Sequence, residues 1–332
     1  MLKNLLIKIC VTRHRESREA ICVDSPVSTV GAMFRFVGLG LSLTSAYALR
    51  APASRLSPRS PARSLGNLFD LLGGGGDAGL VAPSEALPGR GTKMAGIEGY
   101  RHYVLGTDLE AVPEGHKVAV FGNGCFWGSE KGIWRFPGDG ITSTAVGYCA
   151  GFTPNPTYEE ACSGRTGHTE GVRVVYDPSK ISFVDILRWF WEAHDPCSGM
   201  GQGNDRGTQY RSGFYYFDDE QKQLIEASMK AYEAQLGRPI TTEVAAASDY
   251  DQYGGLWYFA EQYHQQYLSK PGSRPYCSAQ PQGVDLAPFE DWCPPGLEEK
   301  HAPKLSEAFW DQHKPRKGCS VVNAPNEPVV MA

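Results

Sequence analysis

Cys125 lies in the stretch "FGNGCFWGSE" (121–130), with glycines on one side and the aromatic pair Phe126 and Trp127 on the other. The run before it, "HKVAVF", is short and rich in β-branched residues, so the spacing predicts a strand, a glycine turn and a helix starting near Cys125. A sulfur at a helix N-terminus meets unpaired N–H groups and the positive end of the helix dipole, which favours the thiolate and makes a nucleophile. Gly122 and Gly124 permit a tight turn, and Gly128 leaves the first helical turn uncrowded. Consecutive helical positions diverge by about 100°, so Phe126 and Trp127 do not both face one interior layer. The pair reads instead as the wall of a pocket beside the sulfur, shaped for a small apolar group such as a methyl. Taken alone, a cysteine in such a place is more often a small buried apolar side chain.

The rest of the chain bounds the chemistry. Nine cysteines, at 10, 22, 125, 149, 162, 197, 277, 293 and 319, are an odd number, widely spread. They fit neither a small secreted disulfide scaffold nor a zinc site of close Cys pairs, and thiol chemistry in a reducing compartment is the first expectation. His168 and His194 have no Cys, His or Asp at zinc spacing, so hydrogen-bonded structural roles are expected and no metal site. Cys149, Cys162 and Cys197 read as structural thiols. A formal charge of −5 on 332 residues, without any nucleic-acid-binding motif, excludes nucleic acid as an expected partner. The balance of 41% apolar and 21% charged residues is that of an ordinary soluble protein.

Five runs read as strands: "HKVAVF" (116–121), "ITSTAVGY" (141–148), "GVRVVYDP" (171–178), "GFYYF" (213–217) and "TEVAAA" (242–247). Ser182 and Asp185 form an S-x-x-D helix start, followed by Phe183, Ile186, Leu187 and Phe190 at helical spacing and stopped by Pro196. "DDEQKQLIEASMKAYEAQLG" begins with acids and closes on Gly237, and "WYFAEQYHQQYLSKPG" (257–272) is predicted as a further helix. Strands and helices without strict alternation predict an α+β fold: a two-layer sandwich of a mixed sheet with flanking helices over residues 95–272. Residues 273–332, rich in Pro and carrying three cysteines, are expected to form an irregular tail.

Residues 1–94 read as a leader and linker. From Ser25 to Phe69 there is no Asp or Glu, whereas Arg35, Arg50, Arg55, Arg59 and Arg63 lie among Ser, Ala and Pro, as in a transit peptide. A short apolar run from Phe36 to Leu43 resembles the core of a signal sequence and is too short to span a bilayer. The order, signal-like core and then basic Ser/Pro stretch, resembles the two-part leaders of plastid proteins in algae with secondary plastids; the secretory pathway and the cytoplasm are the alternatives. "GGGGDAG" and "APSEALPGRG" are expected to be linker.

"GCFWG", "GYCAGFTPNPTYEEACSGRTGHTEGVRVVYDP" and "GNDRGTQYRSGFYY", in that order, resemble the A-type peptide methionine sulfoxide reductases over about residues 115–277. The resemblance implies a ferredoxin-like core and reduction of the S epimer of methionine sulfoxide, free or in proteins. It makes Cys125 the nucleophile, Glu170 the acid, Tyr158 and Tyr210 hydrogen-bonding tyrosines, Asp205 a further carboxylate, and Phe126 and Trp127 the substrate-binding wall. Read without the family, Glu170 is an acid before a strand and the tyrosines are half-buried core. An acid that donates a proton near neutral pH needs a raised pKa, so a desolvated Glu170 is expected.

The resemblance further implies no metal or bound cofactor, thioredoxin as external reductant, no stable membrane association, and a monomer. Cys277, in "SRPYCSAQ", stands where the family has its resolving cysteine and is expected to close the first disulfide with Cys125. The family's following glycine-rich loop is replaced by a longer stretch. Cys293, with fifteen residues between it and Cys277, is the expected second relay over Cys319, by the smaller loop-closure entropy, a difference under about 1 kcal/mol. The rival enzyme reading is a general cysteine peroxidase or thiol oxidoreductase. From another class, tail cysteines binding zinc would make an interaction module.

Overall fold

The computed structural model describes residues 79–331. The leader, its apolar run, Cys10 and Cys22 lie outside the described residues.

In chain order the regular elements are β1 (Lys117–Asn123), α1 (Phe126–Trp134), β2 (Ile141–Cys149), α2 (Tyr158–Cys162), β3 (Thr169–Tyr176), α3 (Phe183–Glu192), β4 (Gly201–Gln202), β5 (Asp205–Arg206), β6 (Ser212–Tyr216), α4 (Asp219–Leu236), β7 (Glu243–Ala246), β8 (Trp257–Phe259), α5 (Phe289–Trp292) and α6 (Glu307–His313). Six strands form one mixed sheet in the order β7-β6-β1-β3-β2-β8, and β4 and β5 make a separate small ribbon. Every pairing in the large sheet is antiparallel except β6 with β7. The path β1-α1-β2-β3-α3-β6 with spatial order β6-β1-β3-β2 is the ferredoxin-like core implied by the resemblance, and the α+β class holds.

Side chains alternate across a strand, so each strand serves two faces. Ala119 and Phe121 of β1, Val146 and Tyr148 of β2, and Val172, Val174 and Tyr176 of β3 join the main core with α1 and α3. Val120 and Cys149 face the other way, toward Tyr215, Tyr250 and Leu256. Ala145 is covered by Ile97 and Leu109 from the segment before β1. The caps follow local chemistry. Ser182 and Asp185 make a full capping box on α3, and Gly237 ends α4 in the left-handed conformation at φ +65°.

Two expectations give way. Residues 257–272 are not an α-helix: Trp257–Phe259 pair with β2 as β8, and only a 3₁₀ turn at Tyr267–Ser269 follows. The bulky aromatics fit a pleated edge, and Gln265 then takes the role of a strand neighbour, accepting from Val146 N at 3.0 Å and donating to Val146 O at 2.8 Å. Residues 82–91, expected as linker, lie against α2 and the loops on either side of it, with Leu87 N on Arg165 O (3.0 Å), Arg90 N on Pro154 O (2.9 Å) and Arg90 paired with Glu160. The tail, irregular for most of its length, carries α5 and α6 and places Leu286, Phe289, Leu297, Leu305, Phe309 and Trp310 in the main core. An apolar side chain every few residues was enough to bury it without long periodic runs.

Candidate active site

β1 runs out at Asn123, Gly124 turns the chain at φ +95°, and Cys125 is the N-cap residue of α1. That positive φ suits glycine, and a Cβ at Gly124 would stand 2.7 Å from the Gln202 side chain. Ser129 Oγ donates to Asn123 Oδ1, tying the first turn of the helix back to the strand end.

Glu170 enters by strand parity. It shares a face of β3 with Val172 and Val174, the face that carries α1, and its register partner is Tyr148 of β2. Its Oε2 accepts from Phe126 N at 3.1 Å, so the carboxyl occupies the donor end of the helix beside Cys125. At 3% exposure it is desolvated, which pushes its pKa up to about 8; the Phe126 N–H opposes this and nearby Asp205 reinforces it. The desolvated acid expected from the chemistry is therefore present.

The thiol departs from expectation. Cys125 is buried, and burial holds its pKa well above the ordinary thiol value, with the charges of Glu170 and Asp205 adding to the effect. Trp127 N–H pulls the other way but more weakly, and the side chain closes no capping hydrogen bond. A helix N-terminus offers at most a kcal/mol or two, whereas removing a thiolate from water beside two carboxyl groups costs more.

The other side chains come from separate loops. Tyr158 begins α2, Asp205 lies on β5, and Tyr210 ends the 3₁₀ turn Thr208–Tyr210 that leads into β6. Tyr158 and Tyr210 are both shifted upward, by burial first, and the charges of Glu170 and Cys162 add to both shifts. Thr169, next to Glu170, donates toward Gln209 O (3.2 Å) and Arg211 O (2.9 Å), and buried Arg211 donates to Glu243, Thr208 O and Ala150 O. These bonds hold the Tyr210 backbone beside β3.

Phe126 is 1% exposed and packs its ring on Tyr148 and His264, at centroid distances of 6.2 and 5.2 Å. Trp127 is half-buried. It stacks on Tyr267 at 3.9 Å, and its indole N–H donates to His264 Nδ1 at 3.1 Å. Burial lowers the pKa of His264 to about 4, so it is neutral at pH 7 and able to accept. Glu261 braces the opposite wall, accepting from Tyr148 Oη and Tyr158 N, each at 2.8 Å. Thr169, Arg211, Glu261 and His264 were not singled out from sequence. Their one signal was a polar or charged residue inside stretches otherwise explained by strand, turn or helix patterns.

Cys277 and Cys319 form a disulfide with Cα atoms 6.1 Å apart, while Cys125 and Cys293 are free thiols. The expected preference for Cys293 is not what the fold delivers. Cys293 caps the end of α5, whose Phe289 lies in the core, and its thiol turns to Pro294 O at 3.4 Å. The small entropic advantage of the shorter loop is overridden by where packing puts each thiol. The disulfide sits over Gly128, one turn from Cys125: a Cβ there would stand 2.8 Å from Cys277 Sγ and 3.4 Å from Cys319 Sγ. Adjacent Tyr276 reaches into the site, donating to Asp205 Oδ1 at 2.6 Å with its ring edge-on to Trp127 at 6.3 Å.

His168 and His194 are buried and held neutral, with pKa values lowered to about 3 and 4. His194 bridges Phe190 O and Ser212 Oγ, which is a structural role. Among the described residues no three His, Cys, Asp or Glu side chains gather as a metal ion would require.

The family model of the peptide methionine sulfoxide reductases matches residues 117–289. A peptide methionine sulfoxide reductase of Vibrio cholerae is 50% identical over 214 residues, covering 63% of this chain and 95% of that protein. One of Synechocystis is 47% identical over 235 residues, covering 69% of this chain and 96% of that protein. The solved structure of methionine sulfoxide reductase A of Corynebacterium diphtheriae superposes with a TM-score of 0.53 at 40% identity, over 60% of this chain and 93% of that one.

Proposed function

This chain belongs to the peptide methionine sulfoxide reductase family, and from that premise we propose how its own residues carry the reaction. The observation that carries the proposal is the Glu170 carboxyl, raised to about 8 and hydrogen-bonded at the start of α1 beside Cys125. At neutral pH Glu170 is protonated. It gives its proton to the sulfoxide oxygen as the Cys125 sulfur attacks the substrate sulfur, because an oxide would otherwise be a prohibitively basic leaving group. The carboxylate so formed takes the thiol proton, which removes the obstacle of a buried, high-pKa cysteine. The oxygen passes to Cys125 as a sulfenic acid and methionine leaves, so the enzyme sulfur is oxidised by two electrons and the substrate sulfur reduced by two. Tyr158 and Tyr210 hold the oxygen, Asp205 keeps Glu170 protonated, and Phe126 with Trp127 receives the methyl group.

Cys277 then condenses with the sulfenic acid, releasing water, and Cys319 takes over Cys277, so that Cys125 returns as a thiol. An external dithiol of the thioredoxin type reduces the Cys277–Cys319 disulfide; Cys293 stands outside this relay. The S epimer is the substrate, free or in proteins, since a fixed sulfur and a fixed methyl pocket leave the oxygen one direction toward Glu170. The acid-poor, Arg-rich leader supports import into a plastid, which mass spectrometry of the mature N-terminus tests.

The decisive experiment compares the wild type and Cys125→Ser with each sulfoxide epimer and with hydrogen peroxide. Expected are turnover of the S epimer alone and none by the variant. Equal use of both epimers would contradict the site geometry, and faster turnover of peroxide than of sulfoxide would favour the peroxidase reading.

A further inference from the structure

Helix α1 presents Gly128, Lys131, Trp134 and Arg135 along one side, at the steps of three and four residues that align helical neighbours. The C-terminal stretch runs along that same side. At the first turn the Cys277 and Cys319 sulfurs cover Gly128. One turn on, the Lys131 ammonium donates to Ala324 O (2.8 Å), Asn326 Oδ1 (3.0 Å) and Val322 O (3.4 Å). A further turn on, Trp134 Nε1 donates to Asn326 O at 2.8 Å and Val329 N donates to Arg135 O at 2.9 Å.

Lys131 is 1% exposed, and a buried ammonium is tolerated only where acceptors surround it. All three of its hydrogen-bond partners come from residues 322–326 and none from the sheet. Cys319 itself stands at φ +53°, a backbone conformation uncommon for a non-glycine residue, so its place depends on what anchors the chain just after it. The helix that carries the nucleophile is thereby also the template on which the last thiol is laid.

We propose that Lys131 is a positioning residue for enzyme recycling: by clasping residues 322–326 it holds Cys319 in line to take Cys277 from Cys125. The inference rests on the relay described above. In that step the Cys319 thiolate attacks Cys277 Sγ of the Cys125–Cys277 disulfide. The Cys277–Cys319 bond forms, the Cys125–Cys277 bond breaks, and the proton given up by Cys319 is taken by Cys125. No net oxidation occurs; the disulfide moves away from the active sulfur.

The test uses the full, reduced chain with one equivalent of methionine S-sulfoxide, quenched by thiol alkylation and mapped by mass spectrometry. Wild type should collect as Cys277–Cys319. Lys131→Met should release methionine at the wild-type rate yet accumulate Cys125–Cys277, with conversion slowed roughly ten- to hundredfold, the cost of misplacing a reacting group by about an ångström. Should Lys131→Met fail to fold, Asn326→Ala removes one acceptor without burying a new group, and a smaller delay in the same step is expected. Conversion at the wild-type rate in the folded variants overturns the proposal. Cys319→Ser, run in parallel, separates it from the relay itself. If that variant accumulates Cys125–Cys277 while Lys131→Met does not, only the positioning role falls; if it cycles with thioredoxin like the wild type, both fall.

Discussion

Glu170 and Cys125 are opposites made by one environment. Burial pushes both pKa values up, which disables a free thiolate and at the same time creates a proton donor. In the proposed reaction the proton Glu170 gives to the oxygen is replaced by the one Cys125 loses. The donor form must be present, and with a pKa of about 8 it is complete below that value and lost as pH rises through it. The rate of methionine release in a single turnover should therefore decline above about pH 8. Glu170→Gln should lower that rate by something like 100- to 10,000-fold, the range for a lost general acid, and remove the decline. A change of only a few-fold would move the donor role to the tyrosine hydroxyls.

At the scale of elements, α1 and α3 are each fixed at one end by local chemistry that also receives the tail. Asp185 completes the α3 capping box by accepting from Ser182 N at 2.9 Å, and the same carboxylate accepts from Lys304 N (3.0 Å) and Leu305 N (3.2 Å). Asp185→Ala strands buried donors on both sides of that junction and should destabilise the fold by roughly 2–4 kcal/mol, more than loss of a cap alone. Urea denaturation measures it, and a loss under about 1 kcal/mol would mean that the tail contacts are replaced by solvent. Gly128 serves α1 differently: it is the bare patch on which two sulfurs rest. Gly128→Ala should slow formation of Cys277–Cys319 far more than the first release of methionine, as read by timed alkylation. An unchanged disulfide pattern would show that the sulfurs do not need that surface.

Across the whole molecule, buried carboxyls and buried imidazoles pull the pH dependence of stability in opposite senses. Glu130, Glu192 and Glu170 are raised to about 7, 7 and 8, so the folded state holds their protons longer than the unfolded chain does. Their contribution is complete at low pH and is lost as pH rises through those values. His102, His168, His194 and His264 are lowered to about 3, 3, 4 and 4, so their contribution is lost as pH falls below the ordinary histidine value of 6.5. Above about pH 7 the unfolded histidines are mostly neutral, so the carboxyls dominate and the urea midpoint should drop between about pH 7 and 8. A midpoint that is flat or rising from about pH 7 to 8 would show these carboxyls to be already ionised in the folded state.

The amino-acid sequence by itself determined whatever depends on neighbours in the chain. Gly124 before Cys125 specified a turn into a helix start, and Ser182 with Asp185 and the terminal Gly237 specified where α3 begins and α4 ends. The family motifs carried Tyr158, Tyr210 and Asp205, which strand and helix periodicity alone would have left as core or solvated residues. Tertiary structure decided the rest. Residues 257–272 become strand and turns because Gln265 bonds to Val146, 119 residues away. Cys319 rather than Cys293 meets Cys277 because the chain after it is clasped by Lys131, 193 residues from Ala324. The proton affinity of Cys125 is set by how completely water is excluded around it. Contacts of that range and the desolvation they produce arise only once the sheet, its helices and the returning tail have closed around one another, so no local pattern announces them.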